Sequence, residues 1–545
     1  MKRRTALGML AAAAVLPACT KVSTEGTEAG GRHPWTLPHV LRWADGEDPV
    51  GLNPVVTTHA TTSWIAELWG AWLFRYDAHL NPVPELATVV PTVENGLVSP
   101  DGKRIVFKLQ PDARWSDGHP FTSRDVAFSV GVIQNPDTNV TSRNGWDLIE
   151  RVETPDDHTA IFHMKSLYAP YVPTFFTTGG ANPCMLPEHI CKGQNPNTGP
   201  YNQMPVGAGP FRIDEWSRGQ HVTLSANPTY WRGVPKLKQV IYKIIPDANT
   251  MLTQMQSHEL DLWVKPSSNY LDQIKGVRGV DVIRRRSQYW SHIDCNCSRP
   301  ALKDVAVRQA LDYAIDRQTI LDKVLHGVGE LNWTVVSPDS YAFNADVKKY
   351  LFDLAKANAL LDQAGWAHGS EGIRAKNGVR LHLEFALGSG NPAGDQIVEL
   401  IRSTWKEIGV SIEVKHYPTS LYFAQAQNGG IINSGKFDVC LFSWGNTPSP
   451  TDMYNLYAST QIPPNGQNDL RYVNPEVTRL LAQARETLDR AKQTALLKRA
   501  QMIVAEECPT FPLVQSEDLY ALNSDLKGFD PNENAPFDFM MQVDI

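Results

Sequence analysis

The opening of this chain limits where its fold can form. Lys2, Arg3 and Arg4 precede an alanine-rich apolar run, Leu7 to Leu16, which stops at Pro17-Ala18-Cys19. A bilayer span takes roughly 20 apolar residues, and this run has about half that number. A basic stretch, a short apolar core and a small residue before the cut predict an export signal over residues 1–18. The body then folds in an exported, thiol-oxidising setting. No later stretch of the sequence is long and apolar enough to span a bilayer, so everything after the leader must bury its core in water.

Leu16-Pro17-Ala18-Cys19 resembles a lipobox, in which the cysteine is acylated and becomes the new N-terminus. Pro17 departs from the usual pattern. A plain signal-peptidase site is the rival, although bulky Leu16 sits where that site wants a small residue, and Arg3-Arg4 leaves a twin-arginine route open. Residues 19–33 read as a lipidated tether, because Thr20 to Gly31 is polar and rich in Gly, Thr and Glu.

The chain has 545 residues, 42% of them hydrophobic, enough for several lobes instead of one core. Its net charge is −7 and the leader holds three cations and no anion, so the body is more acidic still. With no long basic block, nucleic acid is excluded as the partner. Arg284-Arg285-Arg286, the one tight basic run, reads as a solvated strand end. Seven cysteines are present. Cys184 and Cys191 flank a short loop with Pro187 and His189, which suggests a local disulfide, though connectivity is not readable from sequence. Ile293, Cys295 and Cys297 share one face of a strand and read as small buried hydrophobes. A metal reading would need His292, which falls on the opposite face.

Along the body, strands and helices alternate, which predicts mixed α/β lobes. Strands are expected at Trp35–Ala44, Ile105–Leu109, Phe211–Trp216, Val222–Leu224, Val240–Ile245, Val379–Leu387 and Val410–His416. Thr61 to Trp72 has helical spacing through Trp64, Ile65, Leu68 and Trp72. Thr122, with Asp125 three residues on, forms a capping box before Val126, Val130 and Ile133. Asp247, Asp304, Asp316, Asp353, Asn474-Pro475 and Asp489 each open a helix, and Asp395 to Ile408 is another. Known catalytic signatures are missing. Gly388-Ser389-Gly390 is a glycine turn, His258-Glu259 lacks a second histidine, and no phosphate loop or EF-hand loop occurs.

Six blocks in order resemble the family 5 extracellular solute-binding proteins, the peptide and nickel receptors of ABC importers. They are Pro84-Glu85-Leu86-Ala87; Trp115-Ser116-Asp117-Gly118 with Thr122-Ser123-Arg124-Asp125-Val126; Pro205 to Phe211 with Asn227-Pro228-x-Tyr230-Trp231; Glu259-Leu260-Asp261; Asp304 to Arg317; and Ala355 to Gly365. Each block has a plain structural reading. Gly207, Gly209 and Pro210 shape a chain crossing, and Arg308 is a helix residue satisfied by a carboxylate. The resemblance implies an α/β, bilobal, periplasmic-binding-protein-like clamp of class II with an extra small inserted domain. One lobe would combine residues 34–75, 205–285 and 511–545, the second 286–510, and the insertion 76–204. It implies a non-enzymatic receptor that captures oligopeptides, or else a sugar or metal chelate. Its partners would be that ligand, ABC permease subunits and the membrane through a lipid on Cys19. It would act as a monomer without cofactor or resident metal. A secreted enzyme is the rival of another class.

In peptide-binding relatives an aspartate in a Trp-x-Ala-Asp-Tyr-Pro-Asp-Pro-like loop holds the ligand's amino terminus. Here Ser443 to Pro450 matches, and Asn446 stands at the aspartate's place. Asparagine brings no charge, and a charge-assisted bond is roughly twice as strong as a neutral one. Free-amine recognition is therefore not expected. Gly388 to Leu400 has no Lys or Arg for a ligand carboxylate, which disfavours a dedicated dipeptide site. The resemblance places Trp64, Trp69, Trp290, Tyr422 and Trp444 near the cleft. Thr57, Thr58, His59, Trp290, Tyr422, Trp444, Gly445, Asn446 and Thr447 form the expected ligand-binding set.

Overall fold

Two long strands carry the architecture of the computed structural model, which describes residues 31–545 except 58, 141, 180 and 181. The signal, the tether up to residue 30 with Cys19, and Thr58 therefore lie outside the described residues. Val280–Cys295 and Thr510–Asn523 run antiparallel through the middle of a mixed sheet. On the Cys295 side the order continues with Val439–Gly445, His382–Gly388 and Ser411–Tyr417. Beyond Thr510–Asn523 come Leu262–Val264, Val40–Asp45, Gln239–Ile244, His221–Ala226 and Phe211–Ser217.

Val439–Gly445 pairs with the Cys295 end of the first long strand, while Leu262–Val264 pairs with the Asn523 end of the second. Each end anchors a different core. Leu41, Trp43, Tyr242 and Leu262 are buried in one, and Ile293, Phe385, Trp405 and Leu441 in another. A three-stranded sheet, Arg104–Lys108, Thr159–Met164 and Ile149–Asp156, is backed by the helix Ser123–Gln134. It adds Phe107 and Phe162 to the first core, and the turn before the helix adds Trp115.

Between the two halves the long strands lose register. Arg286 pairs with Glu517, yet Trp290 pairs with Gln515. Ser287 to Tyr289 stand opposite Ser516 alone, two residues in excess, and bulge out. Gln515 Nε2 holds the bulge by donating to the Ser287 carbonyl at 2.6 Å and the Tyr289 carbonyl at 3.0 Å. Bulges re-aim side chains, and this one turns Gln288 and Tyr289 into a cavity.

Local signals match the structure where the deciding residue is adjacent. The Thr122 amide donates to Asp125 Oδ2 at 2.8 Å, closing the capping box. Asp247, Asp304, Asp316, Asp353, Asn474 and Asp489 each cap a helix through a side-chain oxygen. Gly207 supports a close crossing: a Cβ there would lie 1.7 Å from the Trp69 carbonyl oxygen.

Other expectations are corrected. The helix expected from Asp395 starts at Pro392 under an Asn391 cap. The Val379–Leu387 strand breaks at Leu381, whose amide donates to the Arg374 carbonyl. Arg308 is satisfied by the backbone carbonyls of Glu507 and Leu302, not by a carboxylate. The three consecutive arginines lie inside a strand and face Glu517, Asp530, Asp339 and Glu330. Cys184 and Cys191 are free thiols, so the expected disulfide is not formed. Cys184 is buried in the first core, whereas Cys191 closes the short helix Glu188–Cys191. Burial pushes the Cys191 thiol up to about 12.

A buried ionic cluster ties the N-terminal, middle and C-terminal segments together. Arg75 Nη1 donates to Asp538 Oδ1 at 2.7 Å and to the Glu67 carbonyl at 3.0 Å. Arg75 Nε lies 3.5 Å from Glu85, which also accepts from the Tyr230 hydroxyl. Thr178 donates to Asp538 at 2.7 Å, and the Phe537 amide to Glu67 Oε2 at 2.8 Å. The opposing carboxylates hold Arg75 ionised despite its burial.

Candidate functional site

Beside this cluster, chain segments far apart in sequence enclose a cavity of about 420 Å³. Its walls are the helix Ala60–Trp69 through Ser63, Trp64 and Glu67, the 140–183 stretch through Asn144, Trp146 and Tyr168, the Gln288–Tyr289 bulge, the Gly445–Asp452 loop and Asn534. A second space of about 600 Å³ shares Asn144, Tyr168, Thr447 and Asp452 with it and reaches Trp444, Gln467 and Arg485. These sizes fall within the roughly 300–1,000 Å³ of small-molecule sites.

The loop is held open by its own polar bonds. Strand Val439–Gly445 delivers Gly445 opposite Tyr289, and the Asn446 amide donates to the Gln288 carbonyl at 2.7 Å. The Thr447 hydroxyl donates to the Asp452 carboxylate and accepts from the Ser449 amide at 3.2 Å. Pro450 then starts the turn Pro450–Asp452, which fits its fixed φ. The loop thus brings Asn446 and Asp452 to the cavity wall; Asn446 Nδ2 is itself buried and has no hydrogen-bond partner among the described residues.

Among the described residues, the 420 Å³ cavity has Glu67 and Asp452 as its carboxyl wall groups and no Lys, Arg or His. Surrounding protein raises the Asp452 carboxyl, against the Thr447 hydrogen bond and the Arg485 charge, although Asp452 is open to the cavity. Burial raises Glu67 well above the carboxylate range, and the Asp538 charge adds to it. Among the described residues neither space has a histidine or cysteine, the usual side-chain ligands for zinc, nickel or copper. Amides, aromatic faces and carboxyls suit a ligand rich in hydrogen-bonding groups and neutral or cationic in charge.

The expected ligand-binding set divides. Gly445, Asn446 and Thr447 line the cavity. Trp444 lies on the strand, not in the loop, and meets Phe442 edge-on at 5.3 Å while bordering the larger space. Trp290 is 1% exposed, stacks at a tilt on His292 and borders a small recess beside Trp444. Tyr422 belongs to the core, with its hydroxyl donating to the Ala386 and Leu441 carbonyls at 3.1 Å each. Thr57 accepts from the His59 amide, and His59 Nε2 pairs with Glu47 at 2.9 Å. Neither residue lines these cavities. Trp64 does, while Trp69 is fully buried. Sequence reasoning missed Glu67, Trp146, Tyr168, Tyr289 and Asp452. Only Asp452 carried a readable signal, as the carboxylate six residues past Asn446 in the same proline-rich loop.

Comparison with known proteins bears on this geometry. The profile of bacterial extracellular solute-binding proteins, family 5 (middle part), matches residues 81–464. The oligopeptide-binding protein AppA of Bacillus subtilis is 27% identical over 542 residues, covering 97% of this chain and 96% of its own length. Protein XP55 of Streptomyces lividans is 30% identical over 452 residues, covering 83% of this chain and 79% of its own. The structure of NikZ from Campylobacter jejuni in complex with Ni(L-His) superposes with a TM-score of 0.75 at 24% identity, covering 94% of this chain and 100% of that one.

Proposed function

The chain belongs to family 5 of the bacterial extracellular solute-binding proteins, and from that premise we propose that it captures oligopeptides in the cavity and passes them to an ABC importer's permease. Its fold is the bilobal clamp of that family. It is an extracytoplasmic transport receptor and not an enzyme. The observation that carries the peptide reading is the wall chemistry: Asp452 opens to the cavity and can take an ammonium, while Asn144, Asn182, Gln288 and Asn534 line it with amides that can bond a peptide backbone. This assigns to Asp452 the charge that Asn446 lacks. Trp64, Trp146, Tyr168, Tyr289 and Trp444 supply flat apolar contacts. Residues 34–75, 205–285 and 511–545 form one lobe, 286–510 the other and 76–204 the insertion. The register break at Ser287–Tyr289 is the flexing point for closure.

A second reading, an oligosaccharide or other uncharged solute, draws on the lack, among the described residues, of a cationic wall group in the 420 Å³ cavity for a peptide's carboxylate. Adding a peptide pool is expected to raise the melting temperature. The stabilisation is RT ln(1 + [L]/Kd), about 2.7 kcal/mol at a hundredfold excess over Kd, and small-angle scattering should show compaction. No shift with peptides but a shift with oligosaccharides would replace the first reading by the second.

The lipobox-like stop at Cys19 and the polar stretch after it support a lipid anchor. Cys19→Ala is expected to move the protein from the membrane to the soluble fraction, as fractionation after a high-salt wash would show. A native mature N-terminus other than Cys19 would contradict the anchor.

A further inference from the structure

Away from the cavity, Asp117, His119 and His189 converge on the surface. We propose that they form a site for one divalent first-row transition ion such as Zn²⁺ or Ni²⁺. One ligand atom from each lies within 4.8 Å of the others. His189 Nε2 is 2.7 Å from Asp117 Oδ2, and His119 Nδ1 is 3.3 Å from Asp117 Oδ1. The two imidazoles stack with centroids 4.0 Å apart, so both ring edges face the same carboxylate.

Two imidazoles and one carboxylate suit zinc, nickel or copper better than the all-oxygen sites of calcium or magnesium. One ion cannot lie in the planes of both rings while they stack, so coordination requires His119 to unstack from His189 and swing its Nδ1 toward the ion; its side chain is 60% exposed. Water fills the remaining positions. The set is not a motif in the sequence, because Asp117 and His119 sit in the turn after Trp115 and His189 lies 72 residues beyond Asp117. Coordination would staple that turn to the Glu188–Cys191 helix, adding a link where Trp115 already approaches His189. None of the three lines either cavity of the ligand site. The site is therefore independent of the transported solute.

The test is calorimetric titration of the mature, tag-free protein with Zn²⁺ and with Ni²⁺, beside melting curves with and without chelator. The parent should bind one ion per chain and melt higher when loaded. His119→Ala and His189→Gln should each weaken binding at least tenfold and abolish the melting shift, while a variant at another exposed histidine, His158→Gln, binds the ion as the parent does. Unchanged melting in chelator verifies that the variants are folded. No binding by the parent, binding by His119→Ala or His189→Gln at the parent's affinity, or loss of the ion in His158→Gln would overturn the proposal.

Discussion

Arg75→Met is expected to destabilise the fold by about 3–5 kcal/mol, the cost of removing one partner from a buried ion pair. Arg75 is 3% exposed, and its removal leaves Asp538 and Glu85 without their central cation. Arg232 still reaches Glu85 at 3.3 Å, so the uncompensated charge falls mainly on Asp538. Because Asp538 sits in the C-terminal segment and Glu67, Arg75 and Glu85 in the N-terminal third, the loss should loosen the C-terminal segment first. Denaturant unfolding followed by limited proteolysis reads both effects. An exposed pair is the control: breaking Arg380–Glu371, at 51% and 75% side-chain exposure, should leave the unfolding midpoint unchanged. Equal effects from the two variants would show that the buried cluster is not a structural tie.

The second large effect concerns Asp452. Asp452→Asn should weaken a free-amine peptide by about tenfold or more, equivalent to about 1.4 kcal/mol, while leaving the N-acetylated peptide unaffected. The carboxylate is ringed by protein, where a charged hydrogen bond outweighs a neutral one. The direction with pH follows from the raised Asp452 pKa. The ammonium contact requires the ionised carboxylate, so it is complete above that raised value and lost as pH falls through it; the acetylated peptide should show no such dependence. Equal affinity for the two peptides in the parent would return the loop to the uncharged reading based on Asn446.

The helix caps were legible because cap and amide are neighbours in sequence, as at Thr122/Asp125 and Asp304/Ala306. Thr510–Asn523 was not. It is buried on both faces at each end, so it shows no alternation, and Gln515 to Asp518 interrupt it with polar residues where it crosses between the halves. The register break that turns Tyr289 into the cavity arises from pairing between segments more than 200 residues apart and leaves no local trace. The site was half legible for the same reason. The Gly445–Thr447 contribution came with a recognisable loop, whereas Trp64, Trp146, Tyr168 and Asn534 meet only in space. Tyr422 was placed near the cleft by the family resemblance alone; in the fold its ring is buried and its hydroxyl donates to two carbonyls.

The most direct test of solute capture is mass spectrometry of whatever the purified protein releases on denaturation, run on the parent and on a Ser63→Trp variant whose cavity is filled. The account predicts peptides with free amino termini from the parent and their absence from the folded variant. Release of no small molecule by a protein that also fails to bind peptides in titration, or the same compounds from both proteins, would contradict capture in this cavity.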